Sequence, residues 1–526
     1  MILGDPMLSP ADGARGLGRV TISELFHYTA RRRPDALALA DPANRPDFTE
    51  GKPRRLSYAE ADRMVAAIAA RLRGMGLPTD AVIGIQMPNV VENVLAMLGV
   101  LRAGMIAAPL PLLWRRADTV TALARVGAKA LIVCRRVGAS DHCQFALQAA
   151  AEVFSIRYVC AFGADLPDGV VSFEDLFSDR PSGHLLPLER GRENAAAHVA
   201  AVTFDVGESG LVPVARTHSE LLAGGLAAIL ESRLPPEANV LSTLLPASFA
   251  GLSLTLLPWL FSGGTLVLHH PFHPDLLAWQ WREDGCTTLI LPGPVAMRLD
   301  AAGAFTEEAP HSVIAAWREP QALMHSAPWL APYAALIDVA VFGEAALAPS
   351  RRGRAGRPAP LTSGPVVAPR DSSNAVTLAE LIRTGQGTLA VRGPMVPRHA
   401  YPPGVERSGL PYFRIGHDGT VDTCQRFATH SASGAIVLNG APSGVVGVGG
   451  YRFALREIQG AVARIDAKAT LSTVTDPAIG QRLVGTAPDA AAMEAALDAA
   501  GANPIIGDAF ASQIAGSVAD PSADAA

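Results

Sequence analysis

Apolar residues recur every three or four positions in some stretches of the chain and form short uninterrupted runs in others. The first pattern predicts amphipathic helices, and the second predicts buried strands. Helices are predicted at 21–33, 56–75, 90–102, 119–126 and 144–153, and strands at 81–86, 105–109, 130–134 and 157–160. Strands alternating with helices of this length indicate right-handed βαβ units and a parallel sheet.

The alternation resumes after residue 239 and later gives way to a different pattern. Strands are predicted at 240–245, 265–269 and 287–291, and helices at 252–261 and 274–283. From about Pro358 the helical spacing fades, and short antiparallel strands are predicted at 387–393, 412–415 and 435–438. A glycine-dense joint at 440–450 then leads to a helix at 455–465 and a strand at 469–474.

Together these elements predict an α/β protein with a large N-terminal domain and a small C-terminal α+β lobe. We expect residues 1–438 to hold two βαβ subdomains and a small β-rich subdomain, and residues 439–514 to form the lobe. The tail, 515–526, is small and polar and is expected to be disordered. A chain of 526 residues with 49% apolar residues is long enough to bury a large core.

One stretch, 202–218 (VTFDVGESGLVPVARTH), combines the end of a strand, a glycine turn and the start of a helix. Its first three residues are β-branched or aromatic and favour a buried strand. Gly207 and Gly210 indicate a turn, and 217–220 (THSE) can cap a helix predicted at 221–231. This layout is typical of a phosphate-binding loop, because glycines let backbone N–H groups converge on an anion.

The side chains of the same stretch oppose a phosphate. Asp205 and Glu208 stand where a phosphate loop has hydroxyls and a lysine, and the first cation is Arg216. A carboxylate about 5 Å from a phosphate oxygen costs roughly 3 kcal/mol at an effective dielectric constant of about 20. Two interpretations stay open: a nucleotide loop, or a plain connection whose glycines only satisfy backbone geometry.

Composition narrows the classes of function. A formal net charge of -5 argues against a nucleic-acid surface, which needs a concentrated basic face. The five cysteines are scattered without a CxxC pair, so we expect reduced thiols and neither a zinc site nor a disulfide framework. The N-terminus lacks the order of a signal peptide, and the longest apolar runs are broken by Arg102, Pro109 and Pro258. We therefore expect a cytoplasmic protein without a membrane span.

The segment 83–110 (IGIQMPNVVENVLAMLGVLRAGMIAAPL) resembles the adenylate-forming superfamily, which includes acyl-CoA synthetases and other AMP-dependent synthetases and ligases. The resemblance extends over nearly the whole chain, and its further matching stretches are 245–268, 356–358, 387–394, 449–458 and 475–484. It implies the fold of those enzymes, with an AMP-dependent synthetase/ligase-like domain at 1–438. It also implies acid–thiol ligase chemistry with ATP, magnesium and coenzyme A as cofactors.

The resemblance also assigns candidate positions. The counterparts of the nucleotide loop are Thr203, Asp205, Gly207, Glu208, Ser209, Gly210 and Arg216. The counterparts of the acyl and nucleotide pocket are Phe249, Gly251, Phe342, Gly343, Glu344, His417 and Asp418, and those of the hinge are Gly440 and Ala441.

The reacting positions of the family are replaced in this sequence. The lysine of the loop falls on Val212 or Pro213, and Ala346 stands where the family has the glutamate that engages magnesium. The chain has three lysines, and none follows Lys468 to supply the lysine that contacts the carboxylate and the α-phosphate. A planar guanidinium does not simply replace a point-like ammonium. The sequence thus assigns no catalytic residue and no metal ligand, and it favours a pseudoenzyme.

Several candidate residues admit two interpretations. Phe249 and Phe342 either face a ligand or pack in the core. His417 and Asp418 form either a proton relay or a turn. The segment 317–319 (WRE) is either a surface loop or a set of bulky side chains that fills a former adenine site.

Three functional hypotheses follow. The first is a protein impaired in ATP-dependent carboxylate adenylation that retains an acyl or carboxylate pocket. The second is an active acyl-CoA ligase in which Arg216, or Arg351 with Arg352, takes over phosphate contacts. The third is a non-catalytic scaffold or sensor that pairs with an active paralogue. Expected partners are a carboxylic acid or acyl ligand, an acyl-carrier protein or a paralogous synthetase, and no nucleic acid.

Overall fold

The computed structural model describes residues 20–177, 194–318, 324–325, 327–370, 372–430, 434–438, 440–476 and 479–517. They form an α/β structure with two large sheets, a smaller antiparallel sheet and a C-terminal lobe, which confirms the predicted fold class. The domain boundaries stay a prediction. Of the predicted tail, 515–517 belong to the helix Pro504–Ser517 and 518–526 lie outside the described residues. No helix in the described part is long and apolar enough to cross a membrane.

The first sheet has seven strands and ends in a β-hairpin. In spatial order its strands are Gly210–Thr217, Val199–Gly207, Ile106–Pro109, Val82–Gln86, Ala130–Cys134, Tyr158–Phe162 and Val170–Ser172. All neighbours pair in parallel except the first two. The parallel strands are continuous apolar runs because helices cover both faces of such a sheet.

The second sheet has eight strands, and its centre is also parallel. Its spatial order is Ala346–Arg351, Ala335–Phe342, Ser312–Trp317, Thr288–Pro292, Val240–Ser242, Leu266–Leu268, Leu37–Ala40 and Arg55–Ser57. The outermost strand on each edge is antiparallel to its neighbour. The six inner strands therefore end on the same edge of the sheet, where ligands of open α/β sheets usually bind.

Two antiparallel sheets and a two-stranded antiparallel ribbon, Arg136–Val137 with Ser140–Asp141, complete the described structure. The smaller antiparallel sheet consists of Gly364–Ala368, Val376–Arg383, Thr388–Arg392, Val421–Thr429 and Ile436–Leu438. The sheet of the C-terminal lobe consists of Tyr451–Ala454, Val445–Val448, Gly480–Thr486 and Thr470–Asp476.

The helices pack on both large sheets and on the lobe. The α-helices of four or more residues are Ile22–Arg32, Arg45–Phe48, Tyr58–Gly74, Val91–Arg102, Arg116–Val126, His142–Glu152, His218–Ser232, Leu257–Ser262, Pro274–Glu283, Gly293–Ala301, Leu455–Ile465, Ala490–Ala499 and Pro504–Ser517. Every residue of Val91–Arg102 is buried. The main core lies around this helix and His218–Ser232, which are apolar on nearly all sides, as expected of helices without a solvent face.

Three local predictions are wrong in detail. The glycine turn at 207–210 does not lead into a helix, because Gly210–Thr217 is a strand that pairs with Val199–Gly207. The predicted strand at 412–415 has no sheet partner, although Phe413 and Ile415 pack against the core. The joint at 440–450 contains a strand, Val445–Val448, which pairs with Tyr451–Ala454.

The cysteines are reduced in this structure. Cys134, Cys143, Cys160 and Cys286 are buried, and Cys424 is exposed on the strand Val421–Thr429. Burial raises the pKa of the Cys143 thiol to about 11 and that of Cys160 to about 12. The four buried thiols therefore act as small apolar side chains.

His218, at the start of the helix His218–Ser232, gives the fold a pH-dependent contact. Its Nδ1 accepts a hydrogen bond of 3.3 Å from the backbone N–H of Ile22, which begins the first helix. Burial, together with the charge of His198, lowers the pKa of His218 from 6.5 to about 3. The imidazole is therefore neutral in the folded protein, whereas it binds a proton in the unfolded chain below pH 6.5.

We expect this histidine to make the protein less stable in mild acid. Between pH 6.5 and about 3 the unfolded state binds more protons, so His218 removes about 1.4 kcal/mol of stability for each unit that the pH falls. His218→Asn keeps an acceptor for Ile22. The loss of stability between pH 7.5 and pH 5 should shrink by about 2 kcal/mol in urea unfolding. An exposed-site control, His417→Asn, should leave that loss unchanged, and an equal loss in wild type and His218→Asn would contradict the expectation.

Candidate functional site

A cavity of about 410 Å³ lies where the carboxyl ends of the parallel strands meet the C-terminal lobe. Trp114 and Phe204 line one wall with their rings in edge contact, 5.6 Å between centroids. Tyr451 and Arg452 of the lobe line the opposite part. The wall is mainly apolar, and its two charged side chains are arginines, Arg318 and Arg452. Such a cavity is suited to an apolar ligand with a negative group.

Asp205 lies behind this wall at the centre of a buried ion-pair cluster. Its Oδ1 is 3.0 Å from Nη1 of Arg452 and 3.6 Å from Nη2 of Arg318. Its Oδ2 accepts a hydrogen bond of 2.9 Å from the backbone N–H of Glu344. Burial alone raises the pKa of Asp205, but Arg452, Arg318 and two backbone N–H groups lower it by more, so the carboxylate is ionised. Asp205, whose negative charge would repel a phosphate, is thus already paired with arginines of the protein.

Glu344 is the second carboxylate of the cluster and is fully buried. Its Oε2 accepts a hydrogen bond of 2.6 Å from the backbone N–H of Phe249, and its Oε1 is 3.2 Å from Nη1 of Arg318. Burial raises the pKa of Glu344, and the neighbouring Asp205 raises it further against the opposing charge of Arg318. Arg318 is therefore a counter-charge of both carboxylates, Asp205 and Glu344.

Arg216, the first cation of the stretch 202–218, is fully buried and does not line the cavity. Its guanidinium lies over the ring of Phe249, 3.7 Å from the centroid. It donates to the backbone carbonyls of Met395 and Ala345. Burial lowers the pKa of Arg216 to about 10, although Glu220, Glu344 and Asp205 oppose that shift. Its contacts join the hairpin to the second sheet and the smaller antiparallel sheet.

The tip of the hairpin packs against the C-terminal lobe. Glu208 and Ser209 form a two-residue turn between the paired Gly207 and Gly210. Gly210 has φ +92, and a Cβ atom there would lie 2.1 Å from Oε1 of Glu457, so only glycine fits. A Cβ atom on Gly444 of the lobe, which has φ +74, would lie 2.9 Å from Cγ of Glu208. The lobe therefore packs beside the turn, while Glu208 and Ser209 themselves are exposed.

The other predicted pocket residues divide between core and surface. Phe249 and Phe342 are buried and do not line the cavity, whereas Gly251 does. Gly343 has φ +54, and a Cβ atom on it would lie 2.3 Å from Oδ2 of Asp205. The other two predicted pocket residues are His417 and Asp418. Both are exposed in a turn, and neither lines the cavity.

Asp418 stabilises a local turn, and Gly440 adopts a backbone conformation that favours glycine. Oδ1 of Asp418 accepts hydrogen bonds from the N–H and hydroxyl of Thr420, and these bonds lower its pKa. Gly440 has φ +98 and is followed by the half-buried Ala441. These facts agree with a turn at 417–418 and with a glycine requirement at 440, and the hinge itself stays a prediction.

The segment 317–319 combines a core residue with a cavity residue. Trp317 is buried, and its Nε1 donates to Asp338 over 2.8 Å. Arg318 follows it and lines the cavity, whereas Glu319 lies outside the described residues. Of the arginines proposed for phosphate contacts, Arg352 is also bound to Asp338, at 2.8 Å, and is not part of the cavity wall.

Mg·ATP does not fit the residues present at the counterpart of the nucleotide loop. Asp205 is held by two arginines, Arg216 is buried against backbone carbonyls, and Ala346 has no side-chain oxygen to ligate a metal. Thr203 is fully buried.

The sequence patterns named Asp205, Glu344 and Arg318 as separate candidates. They did not predict that the three side chains form one ion-pair cluster. Arg452 was part of a matching stretch, 449–458, without an assigned role, and Trp114 carried no signal. Arg452 is 247 positions from Asp205. Local patterns do not reveal a pair at that separation.

Comparisons with known proteins agree with this fold. A family model described as AMP-binding enzyme matches residues 26–357. A 2-hydroxy-7-methoxy-5-methyl-1-naphthoate–CoA ligase from Streptomyces carzinostaticus is 26% identical over 481 residues, which are 86% of this chain and 81% of that protein. A salicyl-AMP ligase / salicyl-S-ArCP synthetase from Mycobacterium tuberculosis is 30% identical over 215 residues, 41% of this chain and 36% of that protein.

Solved structures show the same fold at low identity. The amide bond synthetase McbA from Marinactinospora thermotolerans has a TM-score of 0.69 at 17% identity, covering 93% of this chain and 94% of that one. The anthranilate CoA ligase AuaEII, in complex with anthranoyl-AMP, has a TM-score of 0.61 at 13% identity, covering 91% and 90%.

Proposed function

The chain belongs to the AMP-binding enzyme family, and from that premise we propose an acyl-CoA or aryl-CoA ligase-like protein that retains a carboxylic-acid pocket and is impaired in ATP-dependent adenylation. The observation that carries the proposal is the pairing of Asp205 with Arg452 and Arg318. Asp205 thereby offsets part of the positive charge of both arginines at the counterpart of the phosphate loop. A triphosphate would have to break a buried ion pair and would find a carboxylate there.

The retained pocket supports the second half of the proposal. The cavity has an apolar wall with Trp114 and Phe204, a volume of about 410 Å³ and two arginines. The names of the two relatives refer to a naphthoate and to a salicyl group. We propose that the ligand of this chain belongs to the same class, aromatic carboxylic acids.

An active aryl-CoA ligase is the second candidate. It is favoured by the naphthoate–CoA ligase relative, which matches 86% of this chain. It would require cations for the phosphates from groups other than Arg216 and Arg352, which are both buried and bonded elsewhere. A carrier protein as thiol partner and a cytoplasmic location stay predictions.

Pyrophosphate release separates the two candidates. We expect the purified protein with Mg·ATP and either salicylate or 2-hydroxy-1-naphthoate to release pyrophosphate at least about 10³-fold more slowly than the salicyl-AMP ligase relative, because loss of one stabilising donor alone often costs that much. The same acids should still bind in calorimetric titration without ATP. Acid-dependent release at a rate near that of the relative would contradict the impairment, and absence of acid binding would contradict the pocket.

A further inference from the structure

We propose that Arg318 is the anchor that holds the ligand's carboxylate in the cavity, so that the protein binds aromatic acids as anions and rejects their neutral analogues. The inference rests on the proposed function, since it assigns a specificity-determining residue to the proposed acid pocket. The resemblance to the family assigned no role to Arg318.

The first argument is the charge of the wall. Among the described residues, Arg318 and Arg452 are the charged side chains of the wall, and no described Asp or Glu lines the cavity. Both acidic partners, Asp205 and Glu344, lie behind the arginines. The side of each arginine that faces the cavity therefore meets mainly apolar groups, where the attraction for an anion is less screened than in water.

The second argument is the incomplete bonding of Arg318. Its Nε is buried and has no hydrogen-bond partner among the described residues. Its two ion pairs are long, 3.2 Å to Glu344 and 3.6 Å to Asp205, and neither meets the geometry of a hydrogen bond. The donors of Arg318 are therefore incompletely satisfied, and its side chain is 19% exposed, so a ligand in the cavity can supply a further acceptor. A carboxylate is the acceptor whose geometry fits two N–H groups of an arginine.

Arg452 is the weaker candidate for the anchor. Its side chain is 3% exposed, against 19% for Arg318. Its Nη1 donates a hydrogen bond of 3.0 Å to Asp205. If Arg452 turned from Asp205 to a ligand, Asp205 would keep only the longer contact with Arg318 among these two arginines. Binding of a ligand's carboxylate to Arg452 would therefore release less free energy than binding to Arg318.

His270 and Tyr451, which also line the cavity, do not compete for the negative charge. Burial lowers the pKa of His270 to about 4, so its ring is neutral at pH 7. Burial raises the pKa of Tyr451 to about 12, so its hydroxyl is protonated. Both can donate or accept a hydrogen bond, but among the described residues of the wall the full positive charges are those of the two arginines.

The test compares an acid with its amide on the full chain. Calorimetric titration uses 2-hydroxy-1-naphthoate and 2-hydroxy-1-naphthamide, which have nearly the same shape and differ in charge. We expect the acid to bind at least about tenfold more tightly than the amide in the wild type, and Arg318→Gln to bring that ratio to about one. The matched control is Arg298→Gln, which removes an exposed arginine from the helix Gly293–Ala301 beside the cavity and should keep the ratio.

Further outcomes distinguish this inference from the proposed function. Equal binding of acid and amide by the wild type would keep the pocket and overturn the anchor. A ratio that survives in Arg318→Gln but falls in Arg452→Gln would overturn the assignment to Arg318. Binding of neither compound would overturn the pocket and the anchor together. If Arg318→Gln does not fold, Arg318→Lys, which keeps the charge, should retain a preference for the acid of at least about threefold, and a ratio of one would overturn the anchor.

Discussion

Replacing Asp205 with alanine is expected to lower the free energy of unfolding by about 3–5 kcal/mol, because it removes the buried carboxylate that pairs with Arg452 and Arg318. Arg452, whose side chain is 3% exposed, loses its hydrogen bond to this carboxylate, and Arg318 keeps its ion pair with Glu344. The backbone N–H of Glu344 also loses its acceptor. Since Arg452 belongs to the C-terminal lobe and Asp205 to the hairpin, the loss should weaken the contact between these two parts first.

The measurement is urea unfolding followed by tryptophan fluorescence and by circular dichroism. Two probes are needed because a chain with a separate lobe need not unfold in one step. Asp205→Asn, which keeps one acceptor oxygen, should lose less than the alanine variant. The exposed-carboxylate control Asp35→Ala should change stability by less than about 0.5 kcal/mol. An alanine variant of Asp205 as stable as this control would contradict the role of the cluster.

Arg216→Ala is expected to be destabilised by about 3–5 kcal/mol whatever the catalytic state of the protein. The fully buried guanidinium covers the ring of Phe249 and satisfies the carbonyls of Met395 and Ala345. Alanine would leave a cavity and two buried acceptors without donors. A loss of activity in this variant would therefore report unfolding and not the removal of a phosphate contact.

Thermal unfolding of Arg216→Ala checks this expectation. The matched control is Arg31→Ala, which removes an exposed arginine from the helix Ile22–Arg32. The control should melt within about one degree of the wild type, whereas Arg216→Ala should melt several degrees lower. Equal melting of all three proteins would mean that Arg216 is not a structural residue.

The sequence predicted the fold well where periodicity and end signals agree. The helices Pro274–Glu283 and Leu455–Ile465 begin and end where the apolar spacing places them. The capping box of the helix His218–Ser232 is formed by Thr217 and Glu220 as expected. These features depend on residues within a few positions of one another, so a single segment contains the whole signal.

The sequence patterns did not predict the strand Gly210–Thr217, and Pro213 explains why. Pro213 lies in the middle of it, and proline removes a donor from a sheet ladder, which argues against a strand. The structure resolves the conflict because this strand forms the edge of the seven-stranded sheet, where one side of the ladder needs no partner. Edge position is a tertiary property and cannot be deduced from the segment alone.

The candidate site was predicted only in part. The sequence shows that Asp205 and Glu208 are both negatively charged. This sign was interpreted as an obstacle to phosphate binding. What these carboxylates contact instead depends on Arg452 and Gly444, which lie in the C-terminal lobe. The position of the lobe is set by the whole fold. Sequence patterns therefore showed which chemistry was disfavoured at the loop, and the structure supplied the ion pairs that replace it.

The distribution of the thiols offers a direct optical experiment. Cys424 is exposed while the other four cysteines are buried, so a maleimide fluorophore should attach at one position of the unaltered sequence. The charges of Asp205 and Arg452 act on this thiol, so the dye would lie near the contact between the hairpin and the lobe. Burial raises the thiol pKa, and labelling should be faster in mildly alkaline buffer. The emission of that single dye would then follow changes at this contact in real time.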